Sequence, residues 1–378
     1  MNAFLSPTEC NLDAFIIQLD KNLLPTEVPL AHDIQKKIPI YDVSKLDLNK
    51  DSKALRAEWA NVLRNSAGVF VLKNAFQETA CIDAASEIFN QIITDEKSEA
   101  KVDHFAASGA NDRIWNSAQK LCLLNPKVFA QYFGNLAIST ACEAWLGPNY
   151  QVTSQINLVR PGGKAQSPHR DYHLGFQTTD DAAQYPAHVH DLSPLLTLQG
   201  AIAHVDMPIE SGPTKILPFS QIYRHGYLAF KQPDFIEYFE KNNVQLPLAK
   251  GDALFFNPAL YHGGGANLSS NIQRMANLLQ VSSAFGVAME TLDRESMSRA
   301  LFPILKDNTV HLSTFEIDAA VTACAAGYSF PTNLDASPPV AGLAPETQAN
   351  LLRRALSEKM SQTEFEKALK TLKTRKIP

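Results

Sequence analysis

Apolar residues recur at helical spacing over 51–66, where Leu55, Trp59, Val62 and Leu63 share a face and Asp51 or Ser52 can cap the start. Gly68 interrupts this pattern, and Val69, Phe70, Val71 and Leu72 then read as a short buried strand. A second helical stretch spans 79–93, with Ile82, Ala85, Phe89 and Ile92 on one face. Asn125-Pro126 opens a third in the N-cap/N1 manner, predicted as one helix to about residue 146, where Gly147-Pro148 stop it. The first 50 residues are mixed and punctuated by Pro, as expected of a segment that wraps around the body.

After Tyr150 the periodicity shortens. Strands are predicted over 152–160, 195–206, 214–217, 253–257 and 275–284. Pro161-Gly162-Gly163, Ser211-Gly212-Pro213, Lys250-Gly251-Asp252 and Gly263-Gly264-Gly265 supply turn chemistry between them. Strands punctuated in this way imply an antiparallel jelly roll or barrel rather than βαβ units. Helical patterns return over 293–301, 345–357 and 363–372, the last opened by a capping box from Ser361 to Glu364. The expected organisation is a single elaborated domain. It has an N-terminal helical and strand layer (1–149), a jelly-roll core (150–285) and a C-terminal helical extension (286–378).

Composition narrows the class without choosing a function. The chain has 378 residues, 45% hydrophobic and 19% charged, with a formal net charge of −5. A chain-wide basic footprint for nucleic acid is absent, and the apolar content excludes wholesale disorder. No stretch approaches the roughly 18 apolar residues of a membrane span. The N-terminus carries Glu9 and Asp13 and no Lys or Arg before Lys21, which is wrong for a secretory signal; the expected location is cytoplasmic. Cys10, Cys81, Cys122, Cys142 and Cys324 are odd in number and lie far apart, so buried free thiols are expected rather than a disulfide framework or a zinc ribbon. From Leu351 onwards eight Lys/Arg stand against three Glu, read as a solvated helix face docking on an acidic body.

Candidate chemistry sits in Ser167-Pro168-His169-Arg170-Asp171-Tyr172-His173. If this segment is extended, His169 and Asp171 leave the same face. His262 follows directly on the predicted strand over 253–257, and Arg274 begins a later one. Taken singly, His169 or His262 fits a structural histidine. The ordered set instead suits the facial triad of non-haem Fe(II) oxygenases, in which two imidazoles and one carboxylate leave three coordination positions open. A 2-oxo acid can take two of these and O2 the third, while its distant carboxylate needs a fixed, forked cation such as Arg274.

The segments AGVFVLKNAF near residue 70, INLVRPGGKAQSPHRDYH, HVDMPIESGPTKILPFSQIYRHG and GDALFFNPALYHGGGANLSSNIQRMANLLQ carry a wider likeness. Over about 67–285 the chain resembles the phytanoyl-CoA dioxygenase (PhyH) family of Fe(II)/2-oxoglutarate-dependent oxygenases. The resemblance implies a mainly β fold with flanking helices around a double-stranded β-helix, a jelly-roll, cupin-like core. It also implies that His169, Asp171 and His262 bind iron and that Arg274 binds the C5 carboxylate of 2-oxoglutarate. Asn157 matches a position where relatives offer a polar side chain to the cosubstrate; an inward-facing hydrogen-bonder in the barrel is its other reading. Two departures stand out: the interval from His262 to Arg274 is one residue longer than usual, and Gly264 replaces a hydroxyl residue of some relatives.

The implied reaction is oxidative decarboxylation of 2-oxoglutarate, with O2, coupled to C–H hydroxylation or a related oxidation of a small molecule. Asp171 favours hydroxylation over halogenation, since halogenating members replace this ligand with a small residue. Tyr172, His173, Phe176, His188 and His190 are expected near the mouth, or as packing of their loop. Arg160, Lys164, Arg170, Arg224 and Lys231 could cradle the phosphates of an acyl-CoA only if they converge. The rival class is a non-catalytic jelly-roll metal-binding protein, which leaves Arg274 unexplained.

Overall fold

In the computed structural model, residues 3–98, 111–338 and 344–377 are described. Residues 99–110 of the expected N-terminal layer and 339–343 of the expected extension lie outside them. The strands, in chain order, are β1 (Asp33–Gln35), β2 (Ile38–Asp42), β3 (Val69–Lys73), β4 (Asn111–Ile114), β5 (Gln151–Val159), β6 (Thr197–Ala203), β7 (Lys215–Leu217), β8 (Ala253–Phe256), β9 (Tyr261–Gly263) and β10 (Arg274–Ser282). An eight-stranded sheet runs β1-β2-β3-β8-β6-β10-β5-β4, antiparallel except between β2 and β3. Its spine is the pair β5 and β10, matched from Arg274 opposite Val159 to Ser282 opposite Gln151.

A smaller layer faces it. There β7 pairs with β9, and single bridges add His169 beside His262 and Val244 beside Ile216. The order in space is therefore His169, β9, β7, Val244, which interleaves with β5, β6, β8 and β10 of the large sheet along the chain. This is the double-stranded β-helix, and the crossing from one layer to the other after β5 delivers His169 and Asp171 to the interior.

Helices pack against the large sheet through β3, β5 and β6. Trp59, on helix Ser52–Asn65, stacks on Phe70 of β3 with ring centroids 5.1 Å apart, and Tyr41 of β2 meets both edge-on. The long helix predicted over 125–146 is instead two, Pro126–Phe133 and Leu136–Leu146. Asn135 breaks it: its backbone is extended, its Oδ1 caps the second helix at Ile138 N, and its Nδ2 donates to Ala75 O at 2.7 Å. A continuous helix would forfeit both contacts. The predicted strand 195–206 also shortens to β6, because Pro194 lies in a 3-10 turn, Ser193–Leu196.

His204 ties two of these helices to the sheet. Its Nδ1 donates to Ser86 Oγ, itself committed as donor to Ile82 O, and its Nε2 accepts from Tyr132 OH, both at 2.8 Å. Burial pushes its pKa down to about 3 from 6.5. The unfolded chain therefore takes up a proton at His204 below pH 6.5 that the folded state refuses until about pH 3. Stability at this residue is complete above pH 6.5 and falls by ~1.4 kcal/mol per pH unit as the pH drops through that window. Urea unfolding at pH 6.5 and 5.5 is expected to show a loss ~1 kcal/mol smaller in His204→Gln than in the native chain.

The basic C-terminal stretch docks as expected of a solvated face. Arg353 pairs with Asp318, and Lys373 with Glu295. Exposed pairs contribute little, and the docking rests on buried Leu351, Leu352, Leu369 and Phe365, whose ring stacks on Phe302 at 4.4 Å. All five cysteines are free; Cys122, Cys142 and Cys324 are buried, while Cys10 and Cys81 are only partly so. Among the described residues no helix is long and apolar enough to cross a membrane.

Candidate metal centre

Residues 167–171 are held extended by main-chain bonds: His169 N–H donates to His262 O at 2.9 Å, His262 N–H returns to His169 O at 3.2 Å, and Asp171 N–H donates to Pro258 O at 3.0 Å. Alternation then sends His169 and Asp171 inward and Arg170 the opposite way. Arg170 is buried, donating to the carbonyls of Ser220 and Tyr223, with its guanidinium between the rings of Tyr227 and Tyr261 at 5.2 and 5.1 Å. Phe15, on helix Leu12–Leu19, covers Tyr261 with ring centroids 5.1 Å apart.

This seating depends on Gly226, where an added Cβ would lie 1.8 Å from Arg170 Cζ. Gly226→Ala is expected to destabilise the fold by ~1–3 kcal/mol, the range for overpacking, and to weaken metal binding. Urea unfolding and Mn(II) titration check this; unchanged values in both would show that Arg170 does not fix the segment.

His262 reaches the interior by a different route from the one the sequence suggests. It does not continue β8. A turn over 257–260, closed by Asn257 Oδ1 accepting from Ala259 N–H, swings the chain into the smaller layer, where His262 is the centre of β9. The Nδ1 of His262 bonds to Leu260 O at 2.8 Å and that of His169 to Ser167 O at 2.9 Å. Each carbonyl requires the proton on Nδ1 and frees Nε2 as the lone-pair nitrogen.

Both Nε2 atoms face Asp171, at 3.7 Å from His169 to Oδ1 and 3.4 Å from His262 to Oδ2. Ligand atoms of the three residues all lie within 4.8 Å of one another. Burial, with the neighbouring His262 adding to it, lowers the pKa of His169 and favours the neutral ring. Burial works against the charge on Asp171, but imidazoles carrying a proton on Nε2, which a bound cation would displace, and the Gln199 amide outweigh it and hold the carboxyl below its ordinary range. Two neutral nitrogens and one anion are the donor set a divalent cation requires.

The triad opens into a cavity of about 340 Å³ between the two layers, which Arg274 and Asn157 also line. Arg274 is 7% exposed, and its NH1 donates only to backbone carbonyls, Gly265 O at 3.0 Å and Ser211 O at 3.2 Å. Burial brings its pKa down to about 10, so it stays cationic at neutral pH. Among the described residues no carboxylate pairs with it. Asn157, on β5 opposite Ala276, has a buried Oδ1 with no hydrogen-bond partner. Gly264 N–H donates to Gln166 Oε1 at 2.8 Å.

Of the residues expected at the mouth, Phe176 lines the cavity and is 64% exposed, whereas His190 is buried and bonded to Ala182 O as part of its loop. Tyr172 lies inside the wall rather than at the mouth, with its OH on Gln280 Oε1 at 2.6 Å. Sequence reasoning missed Gln166, Gln199, Gln280 and Arg113. The available signal was modest: Gln199 is a long polar side chain inside the largely apolar run of β6, and Gln280 follows two leucines in β10.

Residues 51–276, more than half of the chain, match the model of the family described as phytanoyl-CoA dioxygenase (PhyH). The chain is 26% identical over 132 residues to Dioxygenase trt7 of Aspergillus terreus (strain NIH 2624 / FGSC A1156), covering 34% of this chain and 39% of that protein. It is 28% identical over 142 residues to Dioxygenase andF of Emericella variicolor, covering 35% and 42%. It thus spans about two fifths of the length of the curated relatives it matches. Among solved structures it is similar to the non-heme alpha ketoglutarate dependent carbocyclase SnoK from nogalamycin biosynthesis (TM-score 0.46, 19% identity, 66% of this chain and 92% of that one). It is also similar to the epimerase SnoN of the same biosynthesis (TM-score 0.43, 17% identity, 61% and 82%).

Proposed function

The chain belongs to the phytanoyl-CoA dioxygenase family, and from that premise we propose that it is an Fe(II)/2-oxoglutarate-dependent dioxygenase acting on a small molecule. The observation that carries this reading is the convergence of His169, Asp171 and His262 in the cavity that also holds the buried cation of Arg274. Bound together, Fe(II) and 2-oxoglutarate supply the coupling of O2 reduction to oxidative decarboxylation, and thereby the oxidant for a substrate C–H bond.

The protein's own contributions follow from its geometry. His169, Asp171 and His262 would hold the ion and leave its remaining positions open. Arg274 would take the far carboxylate of the cosubstrate, with a fork whose charge does not depend on pH in the neutral range. Asn157 lines the same cavity, and its side-chain N–H, rather than its Oδ1, would be the candidate second donor to the cosubstrate. Trp115, Met207, Leu248, Leu278 and Met289 give the cavity an apolar wall that would orient the substrate and exclude water.

A hydroxylation or related C–H oxidation suits the retained carboxylate ligand. An acyl-CoA substrate is disfavoured, because four of the five cations expected to cradle its phosphates are engaged elsewhere, Arg160 with Asp112, Arg170 between two tyrosines, Arg224 with Asp191 and Lys231 with Gln177 O, which leaves only the exposed Lys164. The rival reading, a non-catalytic metal-binding jelly roll, gives Arg274 no purpose. The proposal takes the chain as one elaborated domain, supported by a core cluster that runs from Phe15 to Leu369, and places it in the cytoplasm, consistent with five free thiols.

Anaerobic addition of Fe(II) and 2-oxoglutarate is expected to produce a weak visible charge-transfer band. A screen of small metabolites should then find compounds that stimulate succinate formation. Absence of both the band and any succinate would refute the assignment.

A further inference from the structure

We propose that Gln199 is a positioning residue for Asp171, the last link of a hydrogen-bonded chain Tyr172–Gln280–Gln199–Asp171. The inference rests on the metal-binding role proposed for Asp171 and asks what holds that carboxylate in place. Gln199 Nε2 donates to Asp171 Oδ2 at 2.5 Å and to Gln280 Oε1 at 3.2 Å. Gln280 Oε1 also accepts from Tyr172 OH at 2.6 Å. Gln199 and Gln280 stand directly opposite each other on β6 and β10, so the two amides are cross-strand neighbours on rigid central strands.

The chemistry fixes the orientation of every member. An ionised carboxylate only accepts, so Gln199 must turn its NH2 towards Asp171; its second N–H then requires the oxygen of Gln280, which is also where the tyrosine proton goes. This orientation leaves Gln199 Oε1 buried with no hydrogen-bond partner in a residue 3% exposed.

The chain also closes on itself. Tyr172 directly follows Asp171 and adopts a left-handed backbone (φ 65°), uncommon for a bulky residue, and Tyr227 OH donates to Asp171 O at 3.2 Å. The turn at Tyr172 sends its ring into the wall, and the relay returns from there to the Asp171 side chain. Asp171 is thus held from its main chain and from its carboxylate. With Oδ2 occupied by an amide donor, Oδ1, the oxygen near His169, remains the one free of amide contacts. Outer partners of this kind set ligand orientation and typically change metal affinity 10–100-fold when removed.

The test uses Mn(II) as the probe, titrated anaerobically by electron paramagnetic resonance, alongside thermal unfolding with and without metal. Gln199→Leu and Gln280→Leu are expected to raise the Mn(II) dissociation constant by about 10–100-fold and to shrink the metal-induced rise in Tm. Gln280→Glu keeps an acceptor for both Tyr172 and Gln199 and is expected to rescue most of the affinity. An Mn(II) affinity within twofold of the native chain in Gln199→Leu would overturn the proposal. So would equal weakening in Gln280→Leu and Gln280→Glu. If the native chain itself binds no Mn(II), the metal-centre reading fails instead, which is a distinct result.

Discussion

Asp171→Ala is expected to lower Fe(II) affinity by more than about 100-fold, beyond the range seen for outer partners alone, and to bring succinate formation down to background. The substitution removes the only anion of the triad. It also leaves the Gln199 amide, which donates to Asp171 at 2.5 Å, without its acceptor. Two neutral imidazoles would then face a divalent ion with no compensating charge. The measurement is anaerobic Fe(II) titration followed by 2-oxoglutarate turnover; retention of native affinity would show that the ion, if one binds, is held elsewhere. The fold should survive, since the main-chain bonds that hold 167–171 extended involve no Asp171 side-chain atom.

Arg274→Leu separates cosubstrate from metal. Removing the guanidinium is expected to weaken 2-oxoglutarate binding by about 2–5 kcal/mol, the usual cost of truncating one partner of a buried charge pair. Mn(II) affinity should stay within about twofold, because the guanidinium donates to Gly265 O and Ser211 O and touches none of the three ligands. Arg274→Lys restores a charge but not the fork, and an intermediate affinity is expected. Equal loss of metal and 2-oxoglutarate binding in Arg274→Leu would point to local collapse, and unchanged 2-oxoglutarate binding would remove Arg274 from the site.

Why the four residues proposed for the site, which share one cavity, stand out in the chain is a matter of chemical scarcity. Few side chains can hold a divalent ion or clamp a carboxylate, so His169, Asp171, His262 and Arg274 stand out once their order is noticed. Helical faces such as that of Leu55, Trp59 and Val62 were legible for a similar reason: a period of 3.6 repeats often enough to be seen. Short strands are different. β9 has three residues, and β4, Asn-Asp-Arg-Ile, has no apolar alternation; each exists because a neighbour offers an open edge. The break at Asn135 depends on Ala75 O, sixty residues away, and no local pattern reports it. The pairing of Gln199 with Gln280 is equally invisible, since it exists only through the register of β6 on β10.

The aromatic stack beneath the centre has a consequence for the order in which the protein can assemble. The rings of Tyr223, Phe235, Tyr238 and Tyr261 that receive Phe15 are synthesised more than two hundred residues after it. Until then the N-terminal helix has nowhere to dock, and closing so long a loop is slow. The footing of His262 therefore cannot be complete until Tyr261 has joined the chain. A nascent or partly unfolded chain would hold the ligand residues before it holds their geometry, so metal capture should follow folding rather than nucleate it.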